Sequence, residues 1–162
     1  MLGQGDPVSG LPNRNGPPDL DTLRSPVSVS SDGTRLAVCD NGNSRVLIWL
    51  SLPTRIGQPA DVVLGQPNAS SATPNKPPTR GALNLASEIE SRILYFAQVP
   101  KQNGQPADRV LGQPDFVSTL PNNPDVPVEE RMIGPVALAA VGNRLLIADY
   151  NYSRVLVRGL AE

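Results

Sequence analysis

The chain contains copies of itself. Residues 57–67 read GQPADVVLGQP and residues 104–114 read GQPADRVLGQP, so ten of eleven positions agree at a spacing of 47 residues. Leu-Gly-Gln occurs at 2–4, 64–66 and 111–113, and Ser-Arg-(Val/Ile)-Leu at 44–47, 91–94 and 153–156. In the first and third copies Ser-Arg begins 42 residues after Leu-Gly-Gln, and the next Leu-Gly-Gln follows Ser44 and Ser91 by 20. A full unit is therefore 62 residues, and the units run over about 2–63, 64–110 and 111–162, the middle one 15 residues short. The first and third align without a gap at an offset of 109: Pro26 falls on Pro135, Arg35-Leu36 on Arg144-Leu145, and Asp40 on Asp149. The middle unit skips the equivalents of Arg24–Val38 as one block and resumes at ASEIESRILYF, residues 86–96. A repeat of this length is one supersecondary unit that cannot bury its own faces, so its recurrence is demanded by packing.

Within a unit the pattern is that of strands. Val27 and Val29 alternate with serines, the period of two of a half-buried strand. SDGT supplies an Asp-Gly hairpin turn, RLAVC an apolar second strand, and DNGNS a second turn in which Asn-Gly tolerates positive φ. RVLIW is a third strand and ADVVLGQ, residues 60–66, a fourth. The stretch PNASSATPNKPPTRG has no helical periodicity and reads as a long surface loop. The expectation is an all-β chain of four antiparallel strands per unit, the signature of a β-propeller blade, as a single partial domain over 1–162. The middle unit is expected to lack its two inner strands. The chain opens on an outer strand, Met1–Gln4, and closes on a third one, Arg154–Leu160.

Composition removes several chemistries. Lys plus Arg is 14 and Asp plus Glu 15, so no basic excess exists to collect nucleic-acid phosphates or an anionic membrane. There is no histidine, which excludes Ser-His-Asp and Cys-His nucleophile pairs and His-containing zinc sites. The single Cys39 lies in the apolar run LAVC and reads as a small core residue. Neither a signal peptide nor a membrane-length apolar run is present, which gives the cytoplasm by default and secretion if the chain is truncated.

The run P-V-x-V-x-x-D-G-x-R-L-x-V-x-D-x-x-N-x-R-V-L-I-W resembles the NHL repeat of bacterial and animal propellers. Unit one carries the pattern at Pro26, Asp32, Gly33, Leu36, Val38, Asp40, Asn43, Arg45 and Val46. Unit three carries it at Pro135, Leu145, Ile147, Asp149, Arg154 and Val155, departing at Val141 and Tyr152. The ADVVLGQP module is similar to the outer strand of a bacterial NHL subgroup with long loops. The resemblance implies propeller blades, and rings of the family close with about six of them. Three short units make an incomplete ring, whose open strand edges invite self-association.

Asp40 and Arg45, with Asp149 and Arg154, read as a structural motif: Asp accepts backbone N–H bonds in the second turn and Arg bridges beside it. The middle unit keeps Arg92 but has Ser87 in place of Asp. Gln66 and Gln113 are expected to bond loop backbone. Glu88, Glu90, Glu129 and Glu130 have no ligand spacing and read as solvated surface, and Trp49, Tyr95 and Phe96 as packing between blades. Asn68-Ala-Ser and Asn151-Tyr-Ser match the glycosylation pattern, but the second lies in a tight turn and chance matches to so short a pattern are common. Tyr150 and Tyr152 flank a turn and are the expected partner-contact surface. No catalytic, metal or cofactor residue is expected. The leading reading is a non-enzymatic binding or scaffold module that recognises a protein or small ligand through inter-strand loops. The alternatives are part of a larger propeller enzyme, which the resemblance extends to lyases and lactonase-like metal hydrolases, and a degenerate fragment without activity of its own.

Overall fold

A computed structural model describes residues 1–73 and 91–159. The chain divides into two compact units, Met1–Asn84 with Gln98–Pro106 and Leu85–Ala97 with Ala107–Glu162. In both, the described regular structure is antiparallel strand joined by loops and short 3-10 turns.

The first unit holds a four-stranded meander of β1 (Pro26–Ser31), β2 (Leu36–Asp40), β3 (Arg45–Trp49) and β4 (Val62–Leu64), paired in that order. The turn between β1 and β2 is set by Gly33 at φ +86° and by Asp32, whose Oδ1 accepts the N–H groups of Thr34 and Arg35. Between β2 and β3 runs a 3-10 turn, Asn41–Asn43. Its left-handed residue is Ser44 at φ 51°, not the Asn-Gly pair expected to supply it, because the 3-10 turn takes up Asn41–Asn43 and leaves the reversal to the next residue. Gly42 is required for another reason: a Cβ there would lie 2.6 Å from the Arg24 carbonyl oxygen.

Leu47, Trp49 and Val63 of β3 and β4, with Val38 of β2 and Ala60, form the buried core of this unit, and Leu2, Leu20, Leu23 and Leu36 pack on it. β1 contributes nothing to it. The strand forms where the alternation placed it, yet Val27 is 65% and Val29 67% exposed, because β1 is an edge strand that the described residues leave uncovered on both faces. Met1–Gln4 is likewise not assigned as strand, since no ladder partner lies beside it among the described residues. It packs all the same: Gly57 N–H donates to Met1 O at 3.0 Å, just as Gly104 N–H donates to Val63 O at 3.0 Å.

The second unit holds a hairpin of β5 (Ile93–Tyr95) and β6 (Arg109–Leu111) and a three-stranded sheet of β7 (Pro135–Val141), β8 (Arg144–Asp149) and β9 (Arg154–Gly159). The repeat is kept in register. Val46 faces Leu64 and Ile93 faces Leu111, and the ladder slips at Pro26/Ser28 and again at Pro135/Ala137. Proline cannot donate to a ladder, and in both copies it sits at this irregularity on an edge strand. Two strands of the middle repeat are present; residues 74–90, which include its 15-residue deletion, lie outside the described residues, as does most of the proline-rich loop. Ile93, Met132 and Ile147 form the core, with Leu111, Leu145 and Leu156 against it.

Candidate functional site

The repeated polar residues lie inside. Asp40 and Arg45 are fully buried, with Arg45 Nε donating to Asp40 Oδ2 at 2.8 Å. The same oxygen accepts Asn43 Nδ2 at 2.7 Å, and Oδ1 accepts the Arg24 N–H at 2.7 Å. Arg45 then ties three loop carbonyls, Ala69 at 2.5 Å through Nη1 and Asp19 and Thr22 at 2.7 and 2.9 Å through Nη2. In the third repeat Arg154 Nε donates to Asp149 Oδ2 at 3.0 Å, Asp149 Oδ1 accepts the N–H groups of Ile133 and Gly134, and Arg154 Nη2 donates to Arg131 O. The backbone donors to both carboxylates thus come from the segment entering β1 or β7, not from the turn after β2 or β8 as expected. Arg92 Nη1 donates to Phe116 O at 2.7 Å; Ser87 lies outside the described residues.

The glutamines after each Leu-Gly are a second brace. Gln66 Nε2 donates to Ser44 O and Thr73 O, both at 2.9 Å, and Gln113 Nε2 to Ser91 O at 3.1 Å and Leu120 O at 2.8 Å. Gln4 makes one bond of this set, to Leu11 O at 2.9 Å, and its buried Oε1 has no partner among the described residues. These bonds require the preceding glycine to turn at φ +80° to +87°.

Two surfaces among the described residues bear on recognition. The first is the 3-10 turn Tyr150–Tyr152, where Tyr150 is 67% and Tyr152 38% exposed. Arg154 lies over the Tyr152 ring at 4.5 Å from its centroid, a cation–π contact that fixes the ring. Tyr150 borders a shallow depression with Val136 and Ala148. The second is a cavity of about 320 Å³ in the second unit. Its floor is Leu111, Met132, Leu145 and Ile147, and its rim carries Tyr95, Arg109, Glu130 and Arg158. The gap-free repeat aligns Arg158 with Trp49, which in the first unit is buried and donates from Nε1 to Gln58 O at 3.0 Å. The cavity is thus the corner that Trp49 fills in the other copy, and Arg158 Nη2 is buried there without a partner among the described residues. Sequence reasoning did not single out Arg109 or Arg158 and left Glu130 as solvated surface, although the same alignment already set Arg158 against Trp49.

The other candidates have plain positions. Glu129 and Glu130 sit on the 3-10 turn Val128–Glu130, and Glu88 and Glu90 lie outside the described residues. Among the described residues no three His, Cys, Asp or Glu side chains gather in a metal-binding group. Cys39 is half-buried, and burial followed by the neighbouring Asp40 charge raises its pKa, so the thiolate is disfavoured. Trp49 is buried, Tyr95 and Phe96 half-buried. Asn68 is engaged through Oδ1 with Ser70 and Ser71, and Asn151 packs against Gly134. Comparison with protein-family models, curated proteins and solved structures finds no match.

Proposed function

We propose that this chain is a non-enzymatic binding or scaffold module built from NHL-type propeller blades, and that it recognises a protein or a small ligand through its inter-strand loops. One contrast supports the reading. Buried Asp, Arg and Gln side chains pin the long loops, while the turn at Tyr150–Tyr152 is pinned from beneath by Asp149 and Arg154 and turns two tyrosines outward. Exposed tyrosines on a braced turn give large contact area at low entropic cost. Two shared registers support the blade reading: that of β3–β4 recurs in β5–β6, and that of β2–β3 recurs in β8–β9.

The test is selection of peptides from a displayed random library on the immobilised chain, in parallel with the Tyr150→Ser/Tyr152→Ser variant. The expected result is enriched sequences that the variant no longer retains while its melting curve is unchanged. Enrichment that is absent, or equal on the variant, would falsify the assignment of this turn.

A further inference from the structure

The Ser-Arg turns and the Leu-Gly-Gln segments form a matched set with one member of each left over. Gln66 donates to the carbonyl of Ser44 and Gln113 to that of Ser91, each 22 residues earlier. By the same register the third turn, Ser153, is owed Gln4, and Gln4 is the glutamine with a single amide bond and a buried unpartnered Oε1. The strands agree. β3 pairs with β4, and β5 with β6, yet β9, the equivalent of β3, has no partner on its outer edge among the described residues. That edge is apolar: Val155 is 62% and Val157 51% exposed, whereas their counterparts Val46 and Ile48, paired with Leu64 and Val62 of β4, are 1% and 6% exposed.

We infer that the segment Met1–Gln4 of a second copy of this chain docks on β9, joining copies head to tail. The register follows from the ladder of β3 and β4, in which Val46 faces Leu64 and Leu47 faces Val63. Carried along the repeat, it sets Leu2 of one copy opposite Val155 of the other, and Met1 opposite Leu156. Gln4 Nε2 then donates to Ser153 O. Met1 takes the place of Val63, which lies with Trp49 and Ala60 in the first unit's core, and so closes the corner that is hollow beside Arg158. An added strand gains main-chain bonds from an exposed edge, and the side chains beside it set the register. In the first unit the counterparts of Tyr150 and Val136, Asn41 and Val27, stay exposed, so docking leaves the tyrosine turn open. The inference goes beyond recognition by that turn and does not depend on it.

Light scattering of the chain from micromolar to near-millimolar concentration tests it, with the Val155→Asp/Val157→Asp variant in parallel. The expected result is a mass that rises above 17.2 kDa with concentration in the parent chain and stays there in the variant, with equal melting curves. A parent chain that is monomeric throughout, or association that survives both substitutions, overturns the proposal. The register is read by mixing two Cys39→Ala chains, one carrying Leu2→Cys and the other Val155→Cys. On oxidation of an equimolar mixture the mixed disulfide dimer is expected in excess well beyond the twofold that random pairing gives over either like pair, and a ratio at or below that statistical twofold overturns it. Substituting Tyr150 and Tyr152 leaves these readings unchanged, so the failure of either proposal is seen separately.

Discussion

Arg45 and Arg154 occupy the same place in two copies and differ in what surrounds them. Arg45 is wholly buried with Asp40, whereas Arg154 is 36% exposed beside a buried Asp149. Removing one partner of a buried pair strands the other, so Arg45→Ala is expected to cost about 3–5 kcal/mol in urea unfolding. Arg154→Ala should cost distinctly less, because water reaches the Asp149 carboxylate once the side chain is gone. A second pair of equivalents responds to acid. Asp6 and Asp115 each accept two backbone N–H groups, from Val8 and Ser9 and from Val117 and Ser118. Both have a pKa below the usual 3.8, Asp6 chiefly through the Ser9 hydroxyl and Asp115 chiefly through the Ser118 N–H. A lowered folded-state pKa means that their contribution is present above the usual value and is lost as pH falls through the lowered one. Amide resonances of Ser9 and Ser118 should therefore each shift on acidification with a midpoint below 3.8. The structural role of the Asp and Arg residues was legible because they recur. Their donors were not, since the approach of Arg24 to Asp40 spans 16 residues and no local pattern announces it.

At the scale of the turn, glycine acts in two ways that substitution can separate. Gly33 has φ +86° and open space around it, so Gly33→Ala pays only for a left-handed alanine, about 1–2 kcal/mol. Gly112 has φ +87° and a Cβ there would stand 2.9 Å from both Met132 Cγ and Ser91 O. Gly112→Ala is expected to lower the thermal midpoint more than Gly33→Ala, because a backbone carbonyl cannot yield as a side chain does. Strand positions were legible from alternation and turn residues. The burial of β1 was not, because alternation reports a strand's two faces and says nothing of whether a neighbour covers either. Nor was the left-handed serine, which looks like any polar turn residue until the 3-10 turn before it is seen.

At the scale of the molecule, protection should follow burial within each unit. β3 and β4 are buried at every position, whereas β1 is exposed at every position. Hydrogen exchange is expected to be slowest for the amides that join β2, β3 and β4 and fastest along β1, with β7 nearer to β1 than to β8. Equal protection of β1 and β3 would show that β1 is covered in solution. The repeat made the all-β architecture readable at this scale. The hollow in the second unit was less legible, because it follows from one aromatic side chain exchanged for a cation, Trp49 for Arg158, among many other differences between the aligned copies.

The two full copies also differ in where they carry their small residue. Gly42 stands against Arg24 in one, and its counterpart is Asn151; Gly134 stands against Asn151 in the other, and its counterpart is Ser25. Repeated stretches within a gene invite unequal crossing-over. An exchange between these two sites would give one product with the asparagine of the third copy in the place of Gly42, where a Cβ would lie 2.6 Å from the Arg24 carbonyl oxygen. The entry segment of the first copy is thus tied to the glycine of its own turn, which limits how the duplicated segments can be shuffled.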